Sequence, residues 1–256
     1  MKTRRNFLKY AGVSLLGLAV LPATRAAATY MPHTEHMEPD PKGLKAKRWG
    51  MVVDTRKLND EEDFKPLVEA CVKAHNIPDI EGPQDIKWIW TDEFEAVFPE
   101  QTNVFMKDGY MHKEFLLLCN QCAEAPCVRV CPTKATFKLE NGITMQDMHR
   151  CIGCRYCMAA CPYGARSFNF RDPRPFVKDP NPEYPERMRG VVEKCTFCTE
   201  RIEQGLRPAC VEASKGALLF GDLEDASSEV RQAIKENYTI VRKPSLGTHP
   251  SVYYII

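Results

Sequence analysis

Cysteines are the residues of this sequence whose type and spacing point most directly to chemistry. The 256-residue chain has 12 of them, and 11 fall between positions 119 and 210. One group consists of Cys151, Cys154, Cys157 and Cys161, with Pro162 directly after it. A C-x2-C-x2-C-x3-C-P run of this kind holds the irons of cubane [4Fe–4S] clusters in bacterial two-cluster ferredoxins. The group therefore predicts an iron–sulfur site.

A second group follows the same pattern with two extra residues before its third cysteine. It consists of Cys119, Cys122, Cys127 and Cys131, again with a proline after it. In two-cluster ferredoxins, the fourth cysteine of each run ligates the cluster of the other run. This crossing rule predicts a first cluster on Cys119, Cys122, Cys127 and Cys161, and a second cluster on Cys151, Cys154, Cys157 and Cys131.

A third group lacks one cysteine. Cys195, Cys198 and Cys210 repeat the pattern loosely, but Ser214 stands where the repeat places a fourth cysteine. Taken alone, these three thiols indicate an incomplete site such as a [3Fe–4S] cluster. Cys71 lies upstream without a group of its own and resembles the last cysteine of a degraded run. Under the crossing rule, Cys71 therefore completes the third site.

The residues before Cys71 locate a lost fourth cluster. Glu61, Phe64 and Leu67 stand at the spacing of three earlier ligands, and Ser214 stands at the matching fourth position. By the crossing rule these four positions belong to one site. The 12 cysteines thus predict three [4Fe–4S] clusters with no cysteine left over. The choice between [4Fe–4S] and [3Fe–4S] at the third site stays open.

Other uses of the cysteines are the alternatives. Exported chains with an even cysteine count often form disulfides, and four cysteines also bind zinc. Against disulfides, a C-x2-C-x2-C run packs three sulfurs too closely for bridges to distant partners. Against zinc, its sites usually come as two separated C-x2-C pairs. For Cys71 alone, the alternative is a buried core cysteine on a helix face.

Motifs for other cofactors are absent from the sequence. It contains no C-x2-C-H for c-type haem, no G-x-G-x-x-G and no P-loop. Among the six histidines, His149 lies beside the second cluster run and is a candidate to tune a cluster by hydrogen bonding, with a solvated turn residue as the alternative. Since cysteine holds every iron, no coordination position is open to a substrate, and we expect electron transfer rather than catalysis.

Apolar residues between and beside the predicted ligands have a simpler expected role. They are Ile152, Tyr156, Met158 and Phe197. We expect them to form a wall that screens the clusters from water.

The N-terminus carries a targeting signal. Arg4 and Arg5 form a twin-arginine motif, and an apolar stretch over residues 11–21 is short for a membrane span. Ala26, Ala27 and Ala28 offer a cleavage site, so residues 1–28 are predicted to be a twin-arginine signal peptide. An uncleaved anchor is the alternative. Removing these residues leaves 30 basic and 34 acidic residues, a net charge of −4, which argues against a nucleic-acid partner.

The remaining chain divides by composition and repeat. Residues 29–47 are polar and proline-rich, which indicates a linker or arm, and residues 48–256 form the iron–sulfur domain. We predict a strand over 49–54, a helix over 61–75, a strand on Ile86, Trp88 and Trp90, and a final strand in 248–256. Each cysteine group is followed by a short helix and an apolar strand. The predicted fold class is α+β, with two pseudo-symmetric ferredoxin-like units, a central one (119–170) with two clusters and an outer one (48–118 plus 171–256) with one.

These motifs resemble the iron–sulfur subunits of membrane-bound oxidoreductases, such as polysulfide, dimethyl sulfoxide and formate-dependent nitrite reductases. The resemblance covers residues 48–256 and includes R-W-G-M-V-V-D, R-P-A-C-V-E-A, F-G-D-L and L-G-T-H-P-S-V-Y-Y. It implies four clusters in paired units, from which this chain departs in its first group. Three clusters with a twin-arginine signal are similar to the iron–sulfur subunits of sulfite-reductase-associated, heterodisulfide-reductase-like menaquinol-oxidising complexes.

The resemblance implies a role and partners. We expect a non-catalytic electron-transfer subunit in the periplasm or on the outer face of the cytoplasmic membrane. The implied partners are a polytopic quinone-interacting membrane subunit, which would also provide peripheral membrane association, and a multihaem cytochrome c or other redox subunit. The alternative is the electron-transfer subunit of a molybdopterin oxidoreductase.

Overall fold

Short helices and strands alternate with long turns along residues 41–185 and 187–256, which the computed structural model describes. The predicted signal peptide (1–28) and residues 29–40 of the predicted arm lie outside these residues. Residues 41–47 of that arm contact the folded domain. The Leu44 amide donates to the Ile202 carbonyl (2.9 Å), and the Lys47 amide donates to the Asp222 carboxylate (2.8 Å).

A four-stranded sheet joins the start of the domain to its C-terminus. Its order is β8 (Leu218–Asp222), β1 (Trp49–Asp54), β10 (Val252–Ile255) and β9 (Thr239–Ile240). Strand β1 runs antiparallel to β8 and parallel to β10, with Met51 opposite both Phe220 and Val252. Every residue of β1 is buried, as expected for a central apolar strand. The predicted strands at both ends of the domain are confirmed.

Helix α1 (Glu61–His75) is the longest helix of the described residues, and its predicted bounds are confirmed. Asp60 caps its N-terminus by accepting from the Asp63 amide, and three acidic residues occupy the first turn, where the helix dipole favours them. Asn76 ends the helix in a left-handed conformation. The buried face carries Phe64, Leu67, Cys71 and His75.

Three antiparallel pairs complete the strands: β2 (Ile89–Glu93) with β3 (Glu114–Leu118), β4 (Thr136–Lys138) with β5 (Thr144–Gln146), and β6 (Ser167–Phe168) with β7 (Val192–Glu193). The strand predicted on Ile86, Trp88 and Trp90 begins later, at Ile89. Ile86 and Trp88 are nevertheless buried, so they anchor the segment that leads into β2.

The remaining helices are short: α2 (Phe94–Val97), α3 (Asp108–Met111), α4 (Pro126–Arg129), α5 (Tyr156–Ala159), α6 (Thr199–Glu203), α7 (Ala209–Ala213) and α8 (Glu229–Glu236), with 3-10 turns at Thr55–Lys57, Arg174–Phe176 and Pro244–Leu246. Within the described ranges, no helix is both long enough and apolar enough to cross a membrane.

The predicted repeat of loop, short helix and strand is present in all three cysteine groups. Helices α4, α5 and α7 each contain the third cysteine of a group as their second residue, namely Cys127, Cys157 and Cys210. Strands β4, β6 and β8 follow them. This mixture of helix and strand is compatible with the predicted α+β class.

Candidate iron–sulfur centres

All 12 cysteines lie within the described residues, and each is a free thiol. Their donor set is the one that iron–sulfur clusters require, since soft thiolates hold these clusters in nearly every known site. The geometry of each group therefore decides which thiols are close enough to share one cluster.

The first predicted site is a cavity among the ligand loops. Cys119, Cys122, Cys127 and Cys161 all line it, together with the apolar side chains of Ala125 and Ala165. Burial, together with the neighbouring thiol of Cys119, raises the pKa of Cys122 to about 12, and Cys127 and Cys161 add to this effect. Four thiols around one mostly apolar cavity fit a cubane cluster.

Left-handed backbone turns shape the spacer inside each C-x2-C pair. Gln121, Gly153 and Phe197, which all directly precede the second cysteine of a pair, have φ values of 45°, 71° and 56°. Such values are costly for residues other than glycine, so the surrounding structure must hold them. At Gly153 glycine is also required sterically, because a Cβ there would collide with the carbonyl oxygen of Gly190. The sequence showed the spacing of the pairs but not this conformation.

The second predicted site opens to solvent. Cys154 is exposed, Cys151 and Cys131 are half-buried, and Cys157 is buried. The Cys157 thiol interacts with that of Cys151, and helix α5, which carries Cys157, packs against α4. Cys131 follows α4, and the crossing rule alone assigns it to this site, so its place as the fourth ligand stays a prediction.

Hydrogen bonds to the Cys131 sulfur nevertheless favour its thiolate form. The Thr136 amide donates to it at 3.4 Å, and the Thr133 hydroxyl lies 3.7 Å away. Burial would raise the pKa of Cys131, but these hydrogen bonds together hold it below its ordinary value. A thiolate is the form that binds iron.

The third predicted site is the most buried one. Cys71, on α1, interacts with the thiols of Cys195, Cys198 and Cys210, and all four cysteines are at most 8% exposed. Burial raises the pKa of all four thiols, to about 12 for Cys195 and Cys210. Helix α1 packs against α7, which carries Cys210, and this contact brings Cys71 to a group more than a hundred residues further along the chain.

Side-chain packing occupies the positions of the lost cluster. Phe64 and Leu67 are buried in the main hydrophobic core, whereas Glu61 is exposed at the start of α1. The Ser214 hydroxyl donates to the Val211 carbonyl (2.7 Å) and accepts from the amide of the first residue of β8 (3.0 Å). Ser214 thus closes the C-terminal end of α7, and Phe64 and Leu67 fill the core.

The three thiol groups lie next to one another in a definite order. Cys119 packs against the core that contains Cys195, which makes the third and first groups neighbours. Cys127 and Cys157 lie in one apolar cluster, against which Cys119 also packs, which makes the second and first groups neighbours. The Cys119 group is therefore the middle member of the row.

Buried cations stand beside this row. Arg166 interacts with the thiols of Cys127 and Cys157. Burial would lower its pKa, but these thiols raise it above the ordinary value. The Lys194 ammonium donates to the carbonyls of Thr144 and Cys195 (2.8 Å for the latter) and is almost completely buried. Sequence reasoning missed both residues, because no local pattern shows that they are buried.

A buried ion pair lies at the C-terminal end of α1, the helix that carries Cys71. Arg187 pairs with Glu193 and donates to the carbonyls of His75 and Asn76. The Glu193 carboxylate also accepts from the Trp88 indole (3.2 Å) and from Asn169. Burial lowers the pKa of Arg187 to about 10, so this side chain stays charged at neutral pH. The network fixes the C-terminal end of the helix that carries Cys71.

His75 is a further residue that the sequence did not single out. Its ring Nδ1 lies 3.0 Å from the Cys71 carbonyl oxygen and 3.6 Å from the Cys71 sulfur, while Nε2 lies 2.8 Å from a Glu200 oxygen. Burial would raise the pKa of Glu200, but His75 brings it below its ordinary value. With Cys198, His75 and Glu200 could supply three ligands to a metal ion, yet Cys198 already belongs to the third thiol group. In the sequence, the only signal for His75 was its position four residues after Cys71, which places both on the same face of a helix.

Two side chains predicted to screen the clusters do not do so. Phe197 is buried and Met158 is half-buried, but Ile152 and Tyr156 are 67% and 63% exposed. They lie in and beside the loop of the second group, where the backbone turns toward solvent. His149 is also exposed, in a turn where its amide donates to Asp147 (2.8 Å), which fits the solvated alternative.

Comparisons with known proteins agree with this geometry. Residues 112–173 and residues 150–213 each match a 4Fe-4S dicluster domain, and together they contain all three cysteine groups. The chain is 41% identical to the Hdr-like menaquinol oxidoreductase iron-sulfur subunit 1 of Archaeoglobus fulgidus, over 99% of this chain and 98% of that protein.

Two further relatives cover most of both chains. The menaquinone reductase iron-sulfur cluster-binding subunit of Nitratidesulfovibrio vulgaris is 36% identical, over 81% of this chain and 88% of its own. A tetrathionate reductase subunit of Salmonella typhimurium is 31% identical, over 99% of this chain and 88% of its own. The resemblance read from the motifs is confirmed.

Proposed function

Because this chain belongs to the family of iron–sulfur subunits of membrane oxidoreductases, we propose that it is an exported electron-transfer subunit with three [4Fe–4S] clusters. It relays electrons between a quinone-interacting membrane subunit and another redox subunit. The observation that carries the proposal is the row of three thiol groups, with Cys119 next to Cys195 and Cys127 next to Cys157. Neighbouring one-electron centres form a path for electrons.

The ligand assignment is part of this proposal. The first cluster is held by Cys119, Cys122, Cys127 and Cys161, the second by Cys131, Cys151, Cys154 and Cys157, and the third by Cys71, Cys195, Cys198 and Cys210. It is supported by the shared cavity at the first site and by the interaction of Cys71 with its three partners. Two pseudo-symmetric ferredoxin-like units, one with two clusters and one with one, accommodate this arrangement.

The chain itself is proposed to be non-catalytic. When bound, a cluster supplies a one-electron carrier, and four thiolates leave its irons no open position for a substrate. The work of the protein is then to hold the clusters, to exclude water from the first and third of them and to present the second at the surface.

The exposed side of the second site is the proposed docking surface. Ile152 and Tyr156 project there beside the exposed Cys154. Exposed apolar side chains next to a redox centre fit a partner that covers them. We assign this surface to the quinone-interacting membrane subunit, because two relatives are named for menaquinol or menaquinone reactions. A multihaem cytochrome c or another redox subunit would exchange electrons at the third site.

Export places this assembly in the periplasm or on the outer face of the cytoplasmic membrane. The proposal rests on the twin-arginine motif at Arg4 and Arg5. The chain would be loaded with clusters and folded before export, and it would attach to the membrane through its partner.

A second candidate is the electron-transfer subunit of a molybdopterin oxidoreductase. The observation in its favour is the relative named for tetrathionate reductase, whose similarity spans 99% of this chain. The two candidates differ in the protein at the far end of the relay. Affinity purification of the complex from membranes distinguishes them, since one predicts a cytochrome and the other a molybdenum-containing enzyme.

Metal analysis of the purified chain tests the cluster proposal. We expect about twelve irons and about twelve sulfides per chain, four of each per cubane. Iron near zero with stoichiometric zinc, or a colourless protein, contradicts it. About eight irons would limit the chain to two clusters.

The docking surface is tested separately with a charged substitution. Tyr156→Asp is expected to retain full iron content but to lose co-purification with the membrane subunit, because a carboxylate cannot be buried in an apolar contact. Tyr238→Asp is the matched control, since Tyr238 is also exposed (78%) but lies away from the cysteine loops. Equal co-purification of both variants would remove the docking assignment and leave the cluster proposal intact.

A further inference from the structure

Lys194 is buried without a carboxylate beside it. Its side chain is 1% exposed, and its ammonium donates to two backbone carbonyls, those of Thr144 and Cys195. Among residues 41–185 and 187–256, no carboxylate forms an ion pair with this ammonium. Thr144 lines the cavity of the first site, and Cys195 belongs to the third, so the charge lies at the junction of these two sites.

Arg166 occupies the corresponding place at the other junction. It is 5% exposed, and its Nη1 donates to the Thr136 hydroxyl (3.2 Å) and to the Gln146 amide oxygen (3.0 Å). Its Nη2 has no hydrogen-bond partner in the described part of the chain, and no carboxylate there forms an ion pair with it. Arg166 also lines the cavity of the first site, and Thr136, which accepts from it, donates its amide to the Cys131 sulfur of the second site.

An isolated buried charge is unfavourable unless a counter-charge compensates it. Hydrogen bonds to neutral oxygens satisfy the donors of Lys194 but do not neutralise its positive charge. A cubane with four thiolate ligands is a net anion in both of its common oxidation states, because four negative sulfurs outweigh a core of two or one positive charges. Bound clusters would therefore be the largest negative charges near these cations.

We infer that Lys194 and Arg166 are electrostatic tuning residues, each of which sets the reduction potentials of the two clusters between which it lies. Lys194 acts on the third and first clusters, and Arg166 acts on the first and second. The inference rests on the proposed function, because it requires clusters at all three sites.

The direction of the effect follows from the charges. Reduction adds one electron to a cluster that is already anionic, and a nearby cation stabilises the added charge. Low local dielectric strengthens this interaction. In each transfer one electron leaves one cluster and reduces its neighbour, no bond forms or breaks, and the total charge of the pair is unchanged. A cation between the two members is favourable before and after the transfer.

Other buried cations differ from these two. Arg187 is paired with Glu193, so the two charges largely cancel at a distance. Arg242 lies over the ring of Tyr163 (5.4 Å to the centroid), and this aromatic face stands between it and the first site. Lys194 and Arg166 are distinguished by lying at the thiol groups while forming no ion pair with a carboxylate of the described residues.

Lys138 provides a matched control on the chain itself. Its ammonium also donates to carbonyls at a ligand loop, those of Cys122 (2.7 Å) and Ala123 (2.6 Å), but its side chain is exposed. Water screens an exposed charge. Lys138→Gln should therefore change the potential of the first cluster little.

The test is a redox titration of the purified, iron-loaded full chain, followed by electron paramagnetic resonance. Lys194→Gln and Arg166→Gln keep hydrogen-bond donors and remove the charge. For each variant we expect the equilibrium constant for reduction to fall about tenfold at two of the three clusters, about 59 mV for one electron. The third-site signal is identified as the one that disappears in Cys71→Ala. That signal should shift in Lys194→Gln and stay unchanged in Arg166→Gln.

Each outcome decides the inference. Equal shifts of all three potentials, or no shift, at full iron content would overturn it without affecting the proposed function, which the iron content tests. If a Gln variant loses iron, Lys194→Arg and Arg166→Lys resolve the cause. Iron retained when the charge is kept supports the counter-charge role, and iron lost in those variants too shows that side-chain shape is what matters.

Discussion

The two ends of the thiol row differ in how far water reaches them. At the third site, Cys71 and its three partners are at most 8% exposed, whereas the second site has an exposed cysteine, Cys154, with Ile152 and Tyr156 beside it. The buried end is held by the hydrophobic core and by an internal ion pair. The open end is held by the backbone of a ligand loop. Side-chain packing thus positions the cysteine sulfurs at one end, and the loop backbone positions them at the other.

A surface groove lies beside the buried third site. Ala70 and Ala74 flank Cys71 on α1, Ala209 precedes Cys210 on α7, and all three line a surface groove. The groove thus touches both helices that carry Cys71 and Cys210, although both sulfurs are buried. The two ends of the row differ in solvation. Solvation is one of the factors that set cluster potentials.

The largest expected effect comes from removing a ligand at the buried end. Cys71→Ala is expected to abolish the third cluster or to convert it to [3Fe–4S], because no other cysteine is left to replace the lost thiolate. Iron analysis and electron paramagnetic resonance measure the loss. Val72→Ala, on the exposed side of the same helix, is the control and should retain every signal. An unchanged spectrum for Cys71→Ala would show that Cys71 is a core residue and not a ligand.

The next largest effect concerns the ion pair of the buried end. Arg187→Leu leaves the Glu193 carboxylate buried without its counter-charge, and we expect a loss of about 3–5 kcal/mol in the free energy of unfolding. Thermal or denaturant unfolding of the iron-loaded protein provides the measurement.

Arg155→Leu is the matched substitution at the open end. Arg155 lies over the ring of Phe168 (5.4 Å to the centroid) in an exposed position, and we expect a loss of about 0.5–1 kcal/mol. Similar losses for the two arginine variants would contradict the distinction between the ends.

A smaller effect than that of Arg187 is expected from the loop of the open end. Gly153→Ala places a methyl group against the Gly190 carbonyl at a φ of 71°, which we expect to cost about 1–3 kcal/mol. The loss should appear as faster release of iron from the second cluster to a chelator, with the third cluster unaffected. Gly82→Ala is the control, because Gly82 has a similar φ of 84° and open space around it. Equal iron release from both variants would show that backbone strain alone, rather than the contact with Gly190, decides the effect.

Helices and strands that are determined by neighbouring residues could be predicted from the sequence. Helix α1 was found from its apolar spacing, and the sequence carries Asp60 and Asn76 where its caps form. The grouping of Cys71 with distant thiols was also reached, because a repeat carries information about positions far apart in the chain. The ligand assignment itself remains a prediction for the iron analysis to test.

Features that depend on packing between distant segments were missed. Lys194 and Arg166 look like surface residues in the sequence, and only the folding of loops from three regions buries them. Ile152 and Tyr156 were expected to screen the clusters because they stand between or beside ligands in the sequence, but both are exposed. The ion pair of Arg187 with Glu193 likewise has no signature in spacing.

The last nine residues of the chain have a consequence for the order of events during synthesis. Strand β10 lies between β1 and β9, the Ser251 amide donates to the Asn120 carbonyl (2.8 Å), and the Ala123 amide donates to the His249 carbonyl (2.9 Å). The sheet cannot close, and the ligand loop at Asn120 and Ala123 cannot be braced, until residues 248–256 have been synthesised and have left the ribosome. A product cut short before residue 248 therefore lacks the brace on its first ligand loop.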